Sequence, residues 1–170
     1  MCERGHSISF ILVHPMQQQL AFAQLDQLWH ASSRNTVVIL AKGTLMWHCG
    51  RIPSLQELDD ERALWSTRDP SRADDYAGWA REPATWTQLP PTKLELQTQK
   101  DLKTADFALR SLRQFTEDYC QCQHDLMKRT VRAWALLRGL DGVVRANRDE
   151  NEVMIVRPKS DLILSAATPL

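Results

Sequence analysis

Nowhere does this chain run through the roughly 18 consecutive apolar residues that a membrane-spanning helix needs. An excess of either charge is also missing: 21 Lys and Arg face 21 Asp and Glu, for a formal net charge of zero. That excludes attachment to nucleic acid or anionic lipid through the charge of the whole chain, although a local basic patch remains open. Cysteine is scarce at four in 170 residues, too few for a disulfide scaffold. The N-terminus shows no basic start, no long apolar stretch and no small-residue cleavage site of a signal peptide. The expectation is therefore a cytoplasmic protein with free thiols and no membrane attachment. Internal repeats and low-complexity tracts are absent as well.

What is present suits one globular domain over 1–170, long enough to bury about two-thirds of its unfolded surface. ISFILV (8–13) reads as a buried strand. The stretch after Pro15 places Leu20, Phe22, Leu25, Leu28 and Trp29 at helical spacing. TVVIL (36–40) is β-branched and strand-like, so the opening reads as a βαβ unit. A tight turn at Lys42-Gly43 then suggests a hairpin into TLMWHCG (44–50). SLQELDDERALW (54–65) has the capping box and apolar side of a short helix. An irregular connection rich in Trp and Pro follows, about 66–93.

From Leu94 to Arg138 there is neither Gly nor Pro, and Leu102, Ala105, Leu109, Leu112, Phe115, Tyr119, Cys122, Leu126, Ala133 and Leu137 step mostly by three and four. This predicts a long helical segment, about 94–138, with Leu102, Leu109, Leu112, Phe115, Tyr119 and Cys122 buried. Gly139 ends it. A β-hairpin turning around 148–151 and a last strand at 161–166 complete the reading. The fold class expected is α/β or α+β, with a mixed sheet of about five or six strands.

The opening FILVHPMQQQLAFAQLDQLW…TVVILAKG resembles small sulfur-relay proteins of the DsrE type. The likeness covers about a quarter of the chain and brings no site residue with it.

The chemistry-bearing residues are few. Cys120, Cys122 and His124 alternate in DYCQCQHDL, but on a helix residues two apart point away from each other, so they cannot converge on one ion. Cys122 is expected inside, with Cys120 and His124 half-exposed; no metal and no cofactor is expected. Without glycine after the first strand there is no phosphate cradle, and His14 there is read as an ordinary loop residue. The carboxylates Glu57, Asp59, Asp60 and Glu61, and the pair Asp74 and Asp75, read as solvated faces. No catalytic residue is assigned, and an enzyme is the less favoured class. Its one motive is Cys49, which lies between His48 and Arg51 in WHCGR and would be a nucleophile if a cation lowered its pKa.

Between 128 and 159 eight cations outnumber four carboxylates. Lys128, Arg129, Arg132 and Arg138, with Trp134 nearby, carry the reading of a nucleic-acid-binding accessory protein. The favoured reading is a non-catalytic adaptor or regulatory subunit that binds a protein partner or a second copy of itself. It rests on six tryptophans and the amphipathic stripe. Trp79 and Trp86 in the irregular connection, and Met127, Val131 and Trp134 on the helix, are the expected contact residues.

Overall fold

The computed structural model describes residues 15–31, 37–52, 60, 62–81, 89–107, 109–120, 123–145 and 151–170. Within them the order is α1 (Pro15–Ala31), β1 (Val37–Leu40), β2 (Leu45–Gly50), β3 (Leu64–Thr67), α2 (Pro70–Ala80), β4 (Thr92–Thr98) and β5 (Leu102–Asp106). Then come α3 (Leu109–Asp118), α4 (His124–Leu137), β6 (Gly142–Arg145), β7 (Glu152–Ile155), α5 (Pro158–Asp161) and β8 (Leu162–Pro169). No helix among the described residues is long and apolar enough to cross a membrane.

All eight strands form one mixed sheet, in the order β1-β5-β6-β7-β3-β2-β4-β8; only β5 and β6 run parallel. Leu40, Met46, Leu64, Leu94, Leu102, Val144, Ile155 and Leu162, one from each strand, belong to a single buried cluster. A flat sheet eight strands wide would keep its outer members far apart. The sheet is therefore curled, with this cluster inside the curl. A second cluster lies on the other face, where Leu25 of α1, Leu112 and Phe115 of α3, and Val131 and Trp134 of α4 cover Ala105, Val143 and Met154.

The fold is mixed α+β, within the expected choice of α/β or α+β, but among the described residues the sheet has eight strands rather than about five or six. The difference lies largely in 92–106. β4 buries Thr92, Leu94, Leu96 and Thr98 and leaves Lys93, Glu95 and Gln97 half-exposed, the period of two that a strand shows on a core. The expected helix of 94–138 is in fact two strands, the helix α3 and the helix α4. The helical spacing from Leu102 to Leu112 spans a strand, a loop and a helix, so it arose without one continuous element. Leu112 and Phe115 are buried as expected, whereas Tyr119 is 42% exposed; Cys122 and the side chain of Leu109 lie outside the described residues.

The expected hairpin at 36–50 is a corner instead. Gly43 takes a left-handed φ of 83°, and Thr44 N–H donates to the Ala41 carbonyl at 3.0 Å. Yet β1 pairs with β5 while β2 pairs with β3 and β4. Bonds from Gly43 N–H to the Thr98 carbonyl and from Thr98 N–H to the Thr44 carbonyl pin this corner to the end of β4. The strand expected at 8–13 lies outside the described residues, as does most of the helix expected at 54–65, and Leu64 and Trp65 at the end of the latter are in β3.

The stretch 66–93 is not wholly irregular, because it contains α2. Asp69 caps that helix, accepting from Ser71 N–H at 2.9 Å and from its hydroxyl at 2.7 Å, and Pro70 occupies the first turn. Gly139, at φ 67°, stops α4, and the β6–β7 hairpin and β8 stand where expected.

Candidate functional site

α2 presents two working faces because its side chains repeat every three or four residues. Ala73 and Ala77 are buried, and the contacts of α2 are chiefly with β2. Their small size lets the helix backbone approach the strand closely enough for Cys49 Sγ–H to donate to the Ala73 carbonyl at 3.1 Å. Arg72, Asp75, Tyr76 and Trp79 form the neighbouring stripe, which borders a cleft of about 680 Å³ floored by Arg145 and Glu152.

The floor is set by sheet register. Arg145, the last residue of β6, is the cross-strand partner of Glu152, the first of β7, and their side chains form an ion pair. The Tyr76 hydroxyl donates to the other carboxylate oxygen of Glu152. The Arg145 guanidinium also sits 5.3 Å from the ring centroid of Trp65 on β3, in cation–π range. Four elements thus hold one carboxylate and one guanidinium in fixed places. Both are sheltered, with side-chain exposures of 18% for Arg145 and 16% for Glu152.

The mouth is different. Trp79 is 67% exposed, and its ring packs beside that of Tyr76 at a centroid distance of 5.3 Å and an angle of 55°. Arg72 and Asp75 pair across the stripe at 3.3 Å, and Asp74, on the rim, pairs with Lys93 at 2.7 Å. The arrangement is a charged floor under an open aromatic corner, suited to binding.

Of the contact residues expected from sequence, Trp79 is the one among the described residues that lines this cleft. Met127, Val131 and Trp134 are corrected: they are 5%, 0% and 0% exposed and lie in the helix-side core. Trp134 is closed in by Phe107 and Trp29, both edge-on to it. Trp86 lies outside the described residues. Sequence reasoning passed over Arg145 and Glu152 as a pair. A turn at 148–151 would not place them opposite each other, since Arg145 lies three residues before it and Glu152 one after it. The observed register does, and opposite charges facing each other across strands stabilise a hairpin.

Among the described residues of the basic stretch, the cations expected to bind nucleic acid are largely engaged within the chain. Arg138 binds Asp26 through Nε at 3.0 Å and through a second bond from Nη2. Arg132 donates to the carbonyls of Val156 and Asp60. Lys128 is half-buried, and Arg129, exposed, donates to the Asp125 carbonyl at 3.3 Å.

The two described thiols, Cys49 and Cys120, are not activated. Burial raises the pKa of Cys49 above the ordinary thiol value, and the nearby Lys93 only partly opposes it. That is the reverse of an activated nucleophile. Cys120 is buried rather than half-exposed, and burial lifts its pKa to about 11; His124 is exposed at the start of α4. Among the described residues no three or more His, Cys, Asp or Glu are grouped to hold a metal ion.

No protein-family model and no curated protein matches the sequence, which leaves the sulfur-relay resemblance of the opening without support. One match is to a chain in the crystal structure of the M. tuberculosis MbcT–MbcA toxin–antitoxin complex. It covers 93% of this chain and 93% of that one, with 11% identity and a TM-score of 0.50. At that identity the likeness is one of fold.

Proposed function

We propose that this chain is a non-catalytic adaptor or regulatory subunit that binds a protein partner through the α2 face around Trp79. The observation that carries the reading is the contrast among tryptophans. Trp134 is fully buried and Trp29, Trp47 and Trp65 are partly so, while Trp79 stands 67% exposed at the mouth of a built cleft. A large aromatic left in water beside fixed charges is the residue type that dominates interface energetics. The matched fold comes from a toxin–antitoxin complex, a setting in which a protein of this architecture was crystallised with a partner.

Size-exclusion chromatography with light scattering tests this, on the chain alone and after affinity purification from its host, for wild type and Trp79→Ala in parallel. The reading expects a stoichiometric complex or a homo-oligomer in the wild type that Trp79→Ala loses while remaining folded. A wild-type monomer that retains no partner overturns it.

A further inference from the structure

The cleft itself says what kind of partner fits, and this step rests on the partner reading above. We infer that it receives a cationic side chain, Arg or Lys, from a basic segment of the partner protein.

Three observations converge on this. Trp79, 67% exposed beside the half-buried Tyr76, offers its ring to solvent, and a ring face attracts a cation. The lining charges are also sorted by depth. Arg145 is sheltered, already paired with Glu152 and stacked near Trp65, whereas the side chains of Asp74 and Asp75 are 76% and 60% exposed. An approaching ligand therefore meets these two carboxylates first, and among the described lining residues three carboxylates stand against two arginines. Finally, the rim pairs Arg72–Asp75 and Lys93–Asp74 are solvent-exposed, and such pairs contribute little. A guest cation can exchange into them at small cost. The volume of about 680 Å³ admits an extended side chain with its flanking backbone. An acidic segment would instead face the exposed carboxylates of Asp74 and Asp75.

The test uses the full chain, labelled with 15N, and three blocked pentapeptides that differ only at the centre: arginine, citrulline or glutamate. Citrulline keeps the shape and planarity of arginine without its charge. The arginine peptide is expected to shift the Trp79 indole resonance, assigned through Trp79→Phe, with a Kd on the order of millimolar. The citrulline peptide should bind at least about tenfold more weakly, the glutamate peptide should leave the resonance in place, and added salt should weaken the arginine peptide. Asp74→Asn combined with Asp75→Asn, both at exposed positions, should lower arginine-peptide affinity by a similar factor. Equal or tighter binding of the glutamate peptide, or no shift at the lining residues with the arginine peptide, overturns the inference. If Trp79→Ala still abolishes the host complex in that case, the partner reading stands and only its chemistry falls. If neither peptide nor host partner binds, both fall.

Discussion

Trp134 and Asp26, 108 residues apart in sequence, meet at 2.9 Å, with the indole N–H donating to the carboxylate. Arg138 grips the same carboxylate, so one side chain of α1 anchors two successive turns of α4. Arg138's bonds, followed by Trp134's, hold the Asp26 carboxyl below its ordinary pKa. Asp26→Ala leaves a buried indole N–H unpaired, and the expected loss is about 1–3 kcal/mol, read from urea unfolding. The pH dependence has a definite sign. Because the folded pKa is depressed, the stabilisation is present above the ordinary carboxylate range and is lost as pH falls through the folded value. Asp26→Asn should therefore flatten the acid limb of the stability profile, and an unchanged limb would contradict the linkage.

Leu112, 1% exposed, lies in the helix-side core with Phe115 and Trp134. Leu112→Asp places an unpaired charge where no water reaches, a cost of several kcal/mol even after the carboxyl takes up a proton. The isolated chain should lose its cooperative thermal transition by circular dichroism. Retention of the fold with loss of association would mean that α3 docks on something other than this chain's own sheet.

His48 gives a second pH signature. Its Nδ1–H donates to the Trp65 carbonyl at 2.6 Å, while the buried Nε2 finds no hydrogen-bond partner among the described residues. Burial lowers its pKa and outweighs the opposing backbone bond, and nearby Lys128 lowers it further. The folded state thus keeps the ring neutral where the unfolded chain would protonate it. Stability is complete above the ordinary histidine range and falls as the medium acidifies through about pH 6.5 towards the folded value. His48→Gln should make that decline shallower in chemical denaturation between neutral and mildly acidic pH. An identical slope would show that the ring protonates freely in the native state.

How much of this was legible beforehand differed by element. α1, the end of α4 at Gly139, the β6–β7 hairpin and β8 could all be read, because each is written locally in apolar period, caps or turn residues. The β4–β5 region could not be read: Leu102, Ala105, Leu109 and Leu112 happen to step like a helix, and only pairing with β1, β2, β6 and β8 makes 92–106 sheet. Trp134 looked like surface because the covering α1 is more than a hundred residues away in sequence. Of the cleft, the Arg145–Glu152 pair depends on the observed β6–β7 register, which a turn at 148–151 does not give, and Tyr76 reaches Glu152 only through the docking of α2 on β2. No periodicity records that contact.

The thiols separate an enzyme from a binding protein. Cys49 is half-buried and bonded to the Ala73 carbonyl, and Cys120 is 2% exposed with a pKa near 11. Since thiolate is the reacting form, both should be alkylated more slowly in the native chain than in urea at the same pH, with neither outpacing a free thiol such as glutathione. Peptide mapping by mass spectrometry after timed labelling reads each site. A Cys49 that labels faster than glutathione would restore the motive for a nucleophile.

Gly142 tests the geometry that brings Arg145 to the cleft. It opens β6 between the parallel partner β5 and the antiparallel partner β7, and a Cβ there would run into the Met154 carbonyl oxygen and crowd Thr104 Cγ2 at 3.3 Å. The carbonyl belongs to the sheet backbone and cannot rotate aside as a side chain would. Gly142→Ala should therefore destabilise the chain by about 1–3 kcal/mol, the usual range for overpacking a tight site. Part of the response should appear three residues on, as a changed Arg145–Glu152 register. Gly78→Ala is the control, because nothing lies within 4 Å of its added Cβ and α2 gains from replacing a helical glycine. Thermal unfolding of the pair should move in opposite directions, down for Gly142→Ala and slightly up for Gly78→Ala. Equal tolerance at both positions would mean that β5, β6 and β7 do not approach as closely as the register requires.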